Sequence, residues 1–135
     1  MWRNLSFSWP PTQAATFPEQ KLQSMQPSPP RIQYAIYCLD GPNRQELRAR
    51  NLKSHKCHIE HWAPHIIMSG PLLAADGKSR EGQLYVIEVE SADEARRFVH
   101  DDPFTIAKIF TQISIQRFSP RIHMGRRTKD AQLIV

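Results

Sequence analysis

The sequence predicts a single α+β domain in which strands and helices alternate in the order βαββαβ. Four short segments rich in β-branched and aromatic residues are separated by turn residues, and two stretches begin with helix-capping patterns. A chain of 135 residues has room for one hydrophobic core but hardly for two. Hydrophobic residues make up 40% and charged residues 23% of the chain, as in ordinary globular proteins.

The expected domain occupies residues 31–122. Residues 1–30 contain six of the eleven prolines and show neither helical nor strand periodicity, so we expect a disordered N-terminal extension. Residues 123–135 are the expected C-terminal tail, which is basic and then apolar at AQLIV.

The first strand and the first helix are predicted from residues 32–63. The segment IQYAIYCL at 32–39 has strand composition and ends at the turn residues DGP. Asn43 stands three residues before Glu46, an arrangement typical of a capping box, so a helix should begin there. The helix should end near Ala63, because Pro64 disfavours helical geometry in the residue before it.

The second half of the domain repeats this pattern. HIIMS at 65–69 is a short strand that should end at Gly70, and a loop through Gly82 leads to the alternating strand QLYVIEVE at 83–90. Ser91 and Glu94 form a second capping box, and Asp102 before a proline indicates the N-cap of a further helical turn. ISIQRF at 113–118 is the last strand. This order is that of the ferredoxin-like split βαβ fold, an antiparallel sheet with helices on one face. A second copy is the simplest cover for the other face, so we expect a homodimer.

Four of the six histidines lie within eleven positions in and after the first helix: His55, His58, His61 and His65. At about 100° per residue, Arg48, Ile59 and Trp62 lie within about 40° of His55, and Leu52 lies at about 60°. This stripe should face the sheet.

The other three histidines, His58, His61 and His65, lie about 60° to 120° from His55 and should form a solvated or interface flank. A metal shared by His58 and His61 is the less favoured alternative, because Cys57 points elsewhere and neither an HExxH motif nor a paired CxxC motif occurs. We expect no metal. The lack of a glycine-rich phosphate loop also predicts no nucleotide cofactor.

His55 has two interpretations on the sequence alone. It can be a core histidine bonded to a backbone group, or a general base that needs a carboxylate to fix its tautomer. The HDDPF turn offers Asp102 as the carboxylate, although a helix N-cap would account for Asp102 by itself. Asp101 is interpreted as a solvated turn residue.

The charge distribution argues against nucleic acid as a partner. The formal charge is +5, yet residues 31–122 contain 13 Lys and Arg against 11 Asp and Glu, with no basic stripe. Apolar runs are far shorter than the roughly 20 residues that span a bilayer, so no membrane association is expected. Two cysteines without a secretory pattern predict free thiols and a cytoplasmic location. Organelle targeting through residues 1–30 is the alternative.

Four short motifs together resemble the YCII-related family, also called YciI-like. They are LRARNLKSH, MSGPL, SADEARRFVHDDPF and SIQRF, and the resemblance covers about residues 32–122. It implies a ferredoxin-like fold that dimerises as dimeric α/β barrels do, with a catalytic histidine and aspartate in a cleft. These roles fall on His55 and Asp102, with Arg48, Ser69 and Gly70 as cleft-lining, substrate-binding neighbours. His58 is the alternative to His55, and the helical stripe favours His55.

Two functions follow as hypotheses. As an enzyme, the protein would use the His55 and Asp102 dyad for cofactor-free acid–base chemistry of the elimination, isomerase or lyase type on a small molecule. No serine or cysteine nucleophile stands in a recognisable motif, which argues against acyl-enzyme chemistry. As a non-enzyme, the same dimer would bind a small ligand or another protein.

Overall fold

The computed structural model describes residues 31–129, so the expected N-terminal extension and the AQLIV end lie outside the described residues. The elements in chain order are β1 (Ile32–Asp40), α1 (Gln45–Trp62), a 3-10 turn (Ala63–His65), β2 (Ile66–Leu73), β3 (Arg80–Val89), α2 (Ala92–His100), α3 (Pro103–Ile106), β4 (Phe110–Phe118), β5 (Ile122–His123) and β6 (Arg126–Arg127).

The main sheet has four strands in the order β2-β3-β1-β4, and every neighbouring pair is antiparallel. Strand β3 therefore lies between the two strands that α1 connects, which is the split βαβ arrangement. The predicted α+β, ferredoxin-like fold is confirmed. None of the helices within residues 31–129 is long and apolar enough to cross a membrane.

The helix-covered face of the sheet carries the core. Tyr85 and Phe98 meet edge to face with ring centroids 5.0 Å apart, which joins β3 to α2. The buried cluster consists of Tyr34, Ile36, Cys38, Tyr85, Ile87, Val89, Ala95, Phe98 and Val99. Alternate residues of β1 and β3 supply most of it, as the alternation in the sequence predicts.

The predicted start of the first helix is wrong. The cap position is Arg44, which makes no side-chain cap hydrogen bond, and Asn43 has a φ of 54°. Asparagine tolerates this left-handed conformation better than most residues, so Asn43 turns the chain instead of capping the helix. Glu46 pairs with Arg50 one turn later, at 2.6 Å. By contrast, the Ser91 hydroxyl accepts from the Glu94 amide at 3.2 Å, as predicted.

Three strand boundaries also differ from the prediction, one of them the start of β4 at Phe110 instead of residue 113. Strand β2 continues through Gly70 to Leu73, and Gly82 belongs to β3 instead of the loop. A Cβ at position 82 would lie 2.0 Å from the Cys38 carbonyl oxygen, so only glycine permits this close pairing of β3 with β1. The pairing brings the start of β3 beside the end of β1.

A small hairpin follows the sheet where the sequence predicts only a tail. Strands β5 and β6 pair through Ile122 with Arg127 and His123 with Arg126. Met124 and Gly125 have φ values of 53° and 76°, the two positive values that a type I′ turn requires.

Candidate functional site

His55 and Asp102 are hydrogen-bonded although 47 positions separate them in the chain. His55 Nδ1 lies 2.8 Å from Asp102 Oδ1. The Asp102 side chain is 3% exposed and the His55 side chain 12%. A carboxylate this deeply buried requires hydrogen bonds, and His55 supplies one of them.

Asp102 also caps helix α3. Its Oδ1 accepts from the Phe104 amide at 2.9 Å, and Pro103 occupies the first helical position. The same oxygen atom, Asp102 Oδ1, therefore both caps the helix and binds His55. The cap fixes the carboxylate, and the fixed carboxylate orients the His55 ring.

Phe104 supports His55 from a second direction. The two rings stack with centroids 3.7 Å apart and an angle of 2° between their planes. Stacking and the Asp102 bond together fix both the plane and the rotation of the imidazole. The short HDDPF turn thus provides both the carboxylate and the aromatic ring that hold this histidine.

The Asp102 bond determines which nitrogen of His55 can accept a proton. A carboxylate can only accept hydrogen bonds, so Nδ1 carries the hydrogen and donates it. In the neutral ring Nε2 then holds a lone pair. A histidine in this state can accept a proton, which is the requirement for a general base.

Tyr85 and Cys38 lie behind the dyad. Burial raises the pKa of Tyr85 well above its ordinary value, and the negative charge of Asp102 raises it further. Burial likewise raises the pKa of Cys38 to about 12, with further contributions from Asp102 and Asp40. The Tyr85 hydroxyl is buried without a hydrogen bond of standard geometry among the described residues. Both groups are therefore neutral, and neither supplies a nucleophile at ordinary pH.

Arg48 lies on the same face of α1, two turns before His55, and binds a different carboxylate. It forms an ion pair with Asp40 at the end of β1, and Arg80 Nε approaches the same Asp40 oxygen to 3.6 Å. Burial lowers the pKa of Arg80, and the positive charge of Arg48 lowers it further. Two guanidinium groups therefore share one carboxylate.

The predicted neighbours Ser69 and Gly70 lie on the edge strand β2. Ser69 is exposed and pairs with Tyr85, so its side chain lies on the helix-covered face. Gly70 pairs with Leu84 on the other face, and a Cβ there would meet open space. Within residues 31–129 neither residue is hydrogen-bonded to the dyad.

The prediction of a three-histidine flank is wrong for His58. Its Nε2 lies 2.7 Å from the Phe98 carbonyl oxygen, and its ring stacks on Phe98 with centroids 5.7 Å apart. Leu52, predicted to face the sheet, is 40% exposed. The packed face of α1 is thus rotated towards His58, because α2 covers that edge of the stripe.

The remaining histidines also do not converge. His61 is exposed, and His65 Nδ1 lies 3.2 Å from the Glu88 carbonyl oxygen. Across the described part of the chain, no three or more His, Cys, Asp or Glu residues are grouped as metal ligands would be. Two of the clustered histidines are bonded to backbone carbonyls.

Sequence reasoning missed four residues of this region: Asp40, Arg80, Tyr85 and Phe104. The sequence predicts a turn at Asp40 and a loop at Arg80, because nothing local indicates that their strand ends meet. The alternation of β3 places Tyr85 on the covered face, but not beside Asp102. The aromatic ring at position 104 was visible only as part of the HDDPF motif.

The protein is thus of the α+β class, a split βαβ domain with a buried His-Asp pair beside its sheet. Comparison with known proteins identifies its family. A model of the YCII-related domain matches residues 32–119, which is more than half of the chain. The protein belongs to the YCII-related domain family.

One solved structure similar to this chain is 5-chloro-2-hydroxyhydroquinone dehydrochlorinase (TftG) from Burkholderia phenoliruptrix AC1100, in complex with 2,5-dihydroxybenzoquinone. The two sequences are 33% identical, the TM-score is 0.59, and the match covers 64% of this chain and 93% of that chain. No match was found among curated proteins.

Proposed function

We propose that the protein is a small-molecule enzyme of the lyase type, in which His55 is the general base and Asp102 positions it. The observation that carries this proposal is the bond from His55 Nδ1 to a carboxylate that is itself held by a helix cap. The similar dehydrochlorinase supports the elimination class, since dehydrochlorination removes a proton and a chloride.

The proposed step needs only one proton acceptor. The step starts from the keto tautomer of the substrate, in which the proton of the hydroxyl beside the chlorine has moved to the chlorinated ring carbon. His55 Nε2 takes the proton of a second hydroxyl, whose O–H electrons form a C=O bond. The adjoining ring double bond shifts towards the chlorinated carbon, and chloride leaves with the electrons of the C–Cl bond. The net loss is HCl, and no oxidant or reductant is consumed. Asp102 stabilises the imidazolium that forms and stays ionised. A positioned base of this kind contributes about 10²- to 10⁴-fold to the rate.

The low polarity around His55 suits this chemistry. Phe104 covers one side of the ring, and the buried, neutral Tyr85 and Cys38 lie behind its partner. Water is therefore largely excluded from the dyad, which strengthens the interaction between the imidazolium and Asp102. The His55 side chain is still 12% exposed, and a substrate would reach Nε2 through this exposed part.

The direct test is chloride release from 5-chloro-2-hydroxyhydroquinone by the wild-type protein. We expect turnover that His55→Asn reduces by about 10²-fold or more. Asparagine keeps an N–H donor for Asp102 but has no nitrogen that accepts a proton. His61→Asn, at an exposed histidine, is the matched control and should keep wild-type turnover.

The alternative is a non-catalytic domain that binds a small ligand or a protein, with His55 and Asp102 as a structural hydrogen bond. Equal turnover in wild type and His55→Asn would contradict the proposed base. Binding of 2,5-dihydroxybenzoquinone without turnover of any chlorinated hydroxyhydroquinone would favour the ligand-binding alternative.

We also propose that two copies associate through the sheet face that the helices leave open. This face exposes Tyr37, Met68 and Phe118, which are 42%, 57% and 40% exposed. Ala35 and Val86 lie on the same face by register, and Val86 is itself buried, so all four strands contribute apolar side chains to this face. Isolated soluble domains seldom leave such a surface uncovered.

The homodimer is tested by light scattering after size-exclusion chromatography. We expect a mass of twice the 15.6 kDa chain and a monomer for Tyr37→Arg, because arginine would be buried unpaired. Ile106→Arg, at an exposed position on α3, is the control and should remain dimeric. A wild-type monomer at micromolar concentration would contradict the proposal.

A further inference from the structure

A second cluster of buried charge lies two helical turns from His55. The Asp40 side chain is 6% exposed, and its Oδ2 is shared by Arg48 and Arg80. The two arginine side chains are 18% and 25% exposed. One carboxylate cannot neutralise two guanidinium groups, so this cluster keeps an excess positive charge in a partly dry environment.

Several polar atoms of the cluster have no hydrogen-bond partner within residues 31–129. They include the Nε atoms of Arg44, Arg48 and Arg80, and Asp40 Oδ1. Buried donors and acceptors in proteins nearly always pair with protein groups, ligands or ordered water, so these four atoms offer a bound molecule both donors and an acceptor. The Nε atoms need an acceptor, whereas Asp40 Oδ1 needs a donor.

The cluster opens into a cleft of about 440 Å³ between the end of β1, the start of α1 and the β2–β3 turn. Four cationic residues line it, with Asp40 as the one acidic residue among those lining it: Arg44, Arg48, Lys78 and Arg80. This volume is that of a small-molecule site and exceeds the need of a single inorganic anion.

The cleft and the dyad share neighbours. Arg48 and His55 are seven residues apart on α1, about 10 Å along the helix axis, and on the same face. Cys38 experiences the charges of both Asp102 and Asp40, and Tyr85 those of both Asp102 and Arg80. The cleft and the dyad are therefore neighbouring sites on α1, coupled through the charges that surround Cys38 and Tyr85.

We propose that Arg48, Arg80 and Asp40 form the binding site for an organic anion that carries a hydroxyl group beside its anionic oxygen. The guanidinium groups bind the anionic oxygen, and Asp40 Oδ1 accepts from the hydroxyl. Carboxylates and ionised enols or phenols share this chemistry. The proposal that the anion binds here does not depend on the role of His55, whereas the proposal that the anion is the substrate rests on the proposed function of His55.

The site is tested by calorimetric titration with 2,5-dihydroxybenzoquinone, at a pH where one of its two acidic enolic hydroxyl groups is ionised and the other keeps its proton. We expect wild type to bind and Arg80→Gln to raise the Kd about tenfold or more. Arg97→Gln removes the same charge from an exposed position of α2 and should change the Kd less than twofold. Uncharged 1,4-benzoquinone should bind at least tenfold more weakly to wild type.

Lys78→Gln gives a second variant at an exposed position, where folding is not at risk. We expect it to raise the Kd about two- to fivefold, with a smaller dependence on salt concentration than in wild type. Unchanged affinity in Arg80→Gln, or no binding by wild type, would overturn the proposal. Inorganic phosphate at equal concentration should not displace the quinone, and displacement would assign the site to simple anions instead.

The same titration separates this inference from the proposed function. His55→Asn should lose turnover yet keep the arginine-dependent affinity. If Arg80→Gln binds normally while His55→Asn loses turnover, the anion site is wrong and the base stands. If Arg80→Gln weakens binding while His55→Asn turns over normally, the anion site stands and the base is wrong.

Discussion

His55 and His58 lie on neighbouring turns of the same helix, and both are hydrogen-bonded to residues more than 35 positions away. His55 binds a side-chain carboxylate through Nδ1, whereas His58 binds the Phe98 backbone carbonyl through Nε2. The two rings therefore hold opposite tautomers. A histidine bonded to a backbone carbonyl gains a fixed place in the core, but a histidine bonded to a carboxylate also gains a stabilised charged form.

The largest expected difference is in turnover. His55→Asn keeps the donor to Asp102 and removes the proton acceptor, so we expect chloride release to fall by about 10²- to 10⁴-fold. His58→Gln keeps a donor at the position of Nε2, so turnover should stay within about twofold. Stopped assays with 5-chloro-2-hydroxyhydroquinone measure both. Equal losses of turnover in the two variants would contradict the different roles assigned to His55 and His58.

Asp102→Ala should have the next largest effect, this time on stability. The variant loses the α3 cap and leaves His55 Nδ1 without its acceptor, for about 2–4 kcal/mol of unfolding free energy. Ser91→Ala removes only the cap of α2 and should cost about 1 kcal/mol. Urea denaturation followed by circular dichroism measures both variants. A loss no larger than that of Ser91→Ala would mean that the His55 bond contributes nothing.

His58→Ala should lower the stability of the protein and leave the active site functional. Removing the ring leaves the buried Phe98 carbonyl unpaired and a gap against Phe98, for about 1–3 kcal/mol. His58→Gln should restore most of this loss. Turnover per folded molecule should stay near wild type in both variants, and a selective loss of turnover would instead place His58 in the catalytic machinery.

Cys38, which lies behind Asp102, should have the smallest effect on stability at neutral pH and a large effect at alkaline pH. Its pKa is raised by burial from 9.0 to about 12. The neutral thiol favours the folded state, so its contribution is complete below pH 9 and is lost as the pH rises towards 12. Cys38→Ala should therefore show a flatter stability profile from pH 9 upward. The profile is measured by denaturation at each pH.

A thiol-labelling experiment provides the control for this interpretation. Cys57 is exposed and Cys38 is buried, so iodoacetamide at pH 8 should modify Cys57 alone in the folded protein. Both thiols should react in urea. Rapid labelling of Cys38 in the folded state would mean that the region behind Asp102 is open.

Part of the contrast between the two histidines was visible in the sequence. The helical stripe separates His55 from His61, and the HDDPF turn with the family resemblance supplies Asp102. The stripe does not show which edge of α1 meets α2, because that depends on tertiary packing. The sequence therefore predicts Leu52 on the packed side and His58 on the exposed side, and the structure has the reverse. Hydrophobic periodicity predicts which face of a helix is packed, but not where the centre of that face lies.

The cationic cleft could not be predicted for a different reason. Asp40 and Arg80 are 40 positions apart, and they meet because Gly82 allows β3 to approach β1 closely. Strand register is a property of the whole sheet and is not encoded near either residue. The capping box at Asn43 failed because asparagine also stabilises turns with positive φ, and the local sequence does not distinguish these two uses.

The tautomers of His55 and His58 test the central claim most directly, through the ¹⁵N spectrum of the neutral imidazoles in the wild-type protein. We predict that His55 is protonated on Nδ1 and His58 on Nε2. Addition of 2,5-dihydroxybenzoquinone should shift the Nε2 signal of His55 and leave that of His58 unchanged. A His55 ring protonated on Nε2, or a His55 Nε2 signal that saturating ligand does not move, would contradict the assignment of His55 as the base.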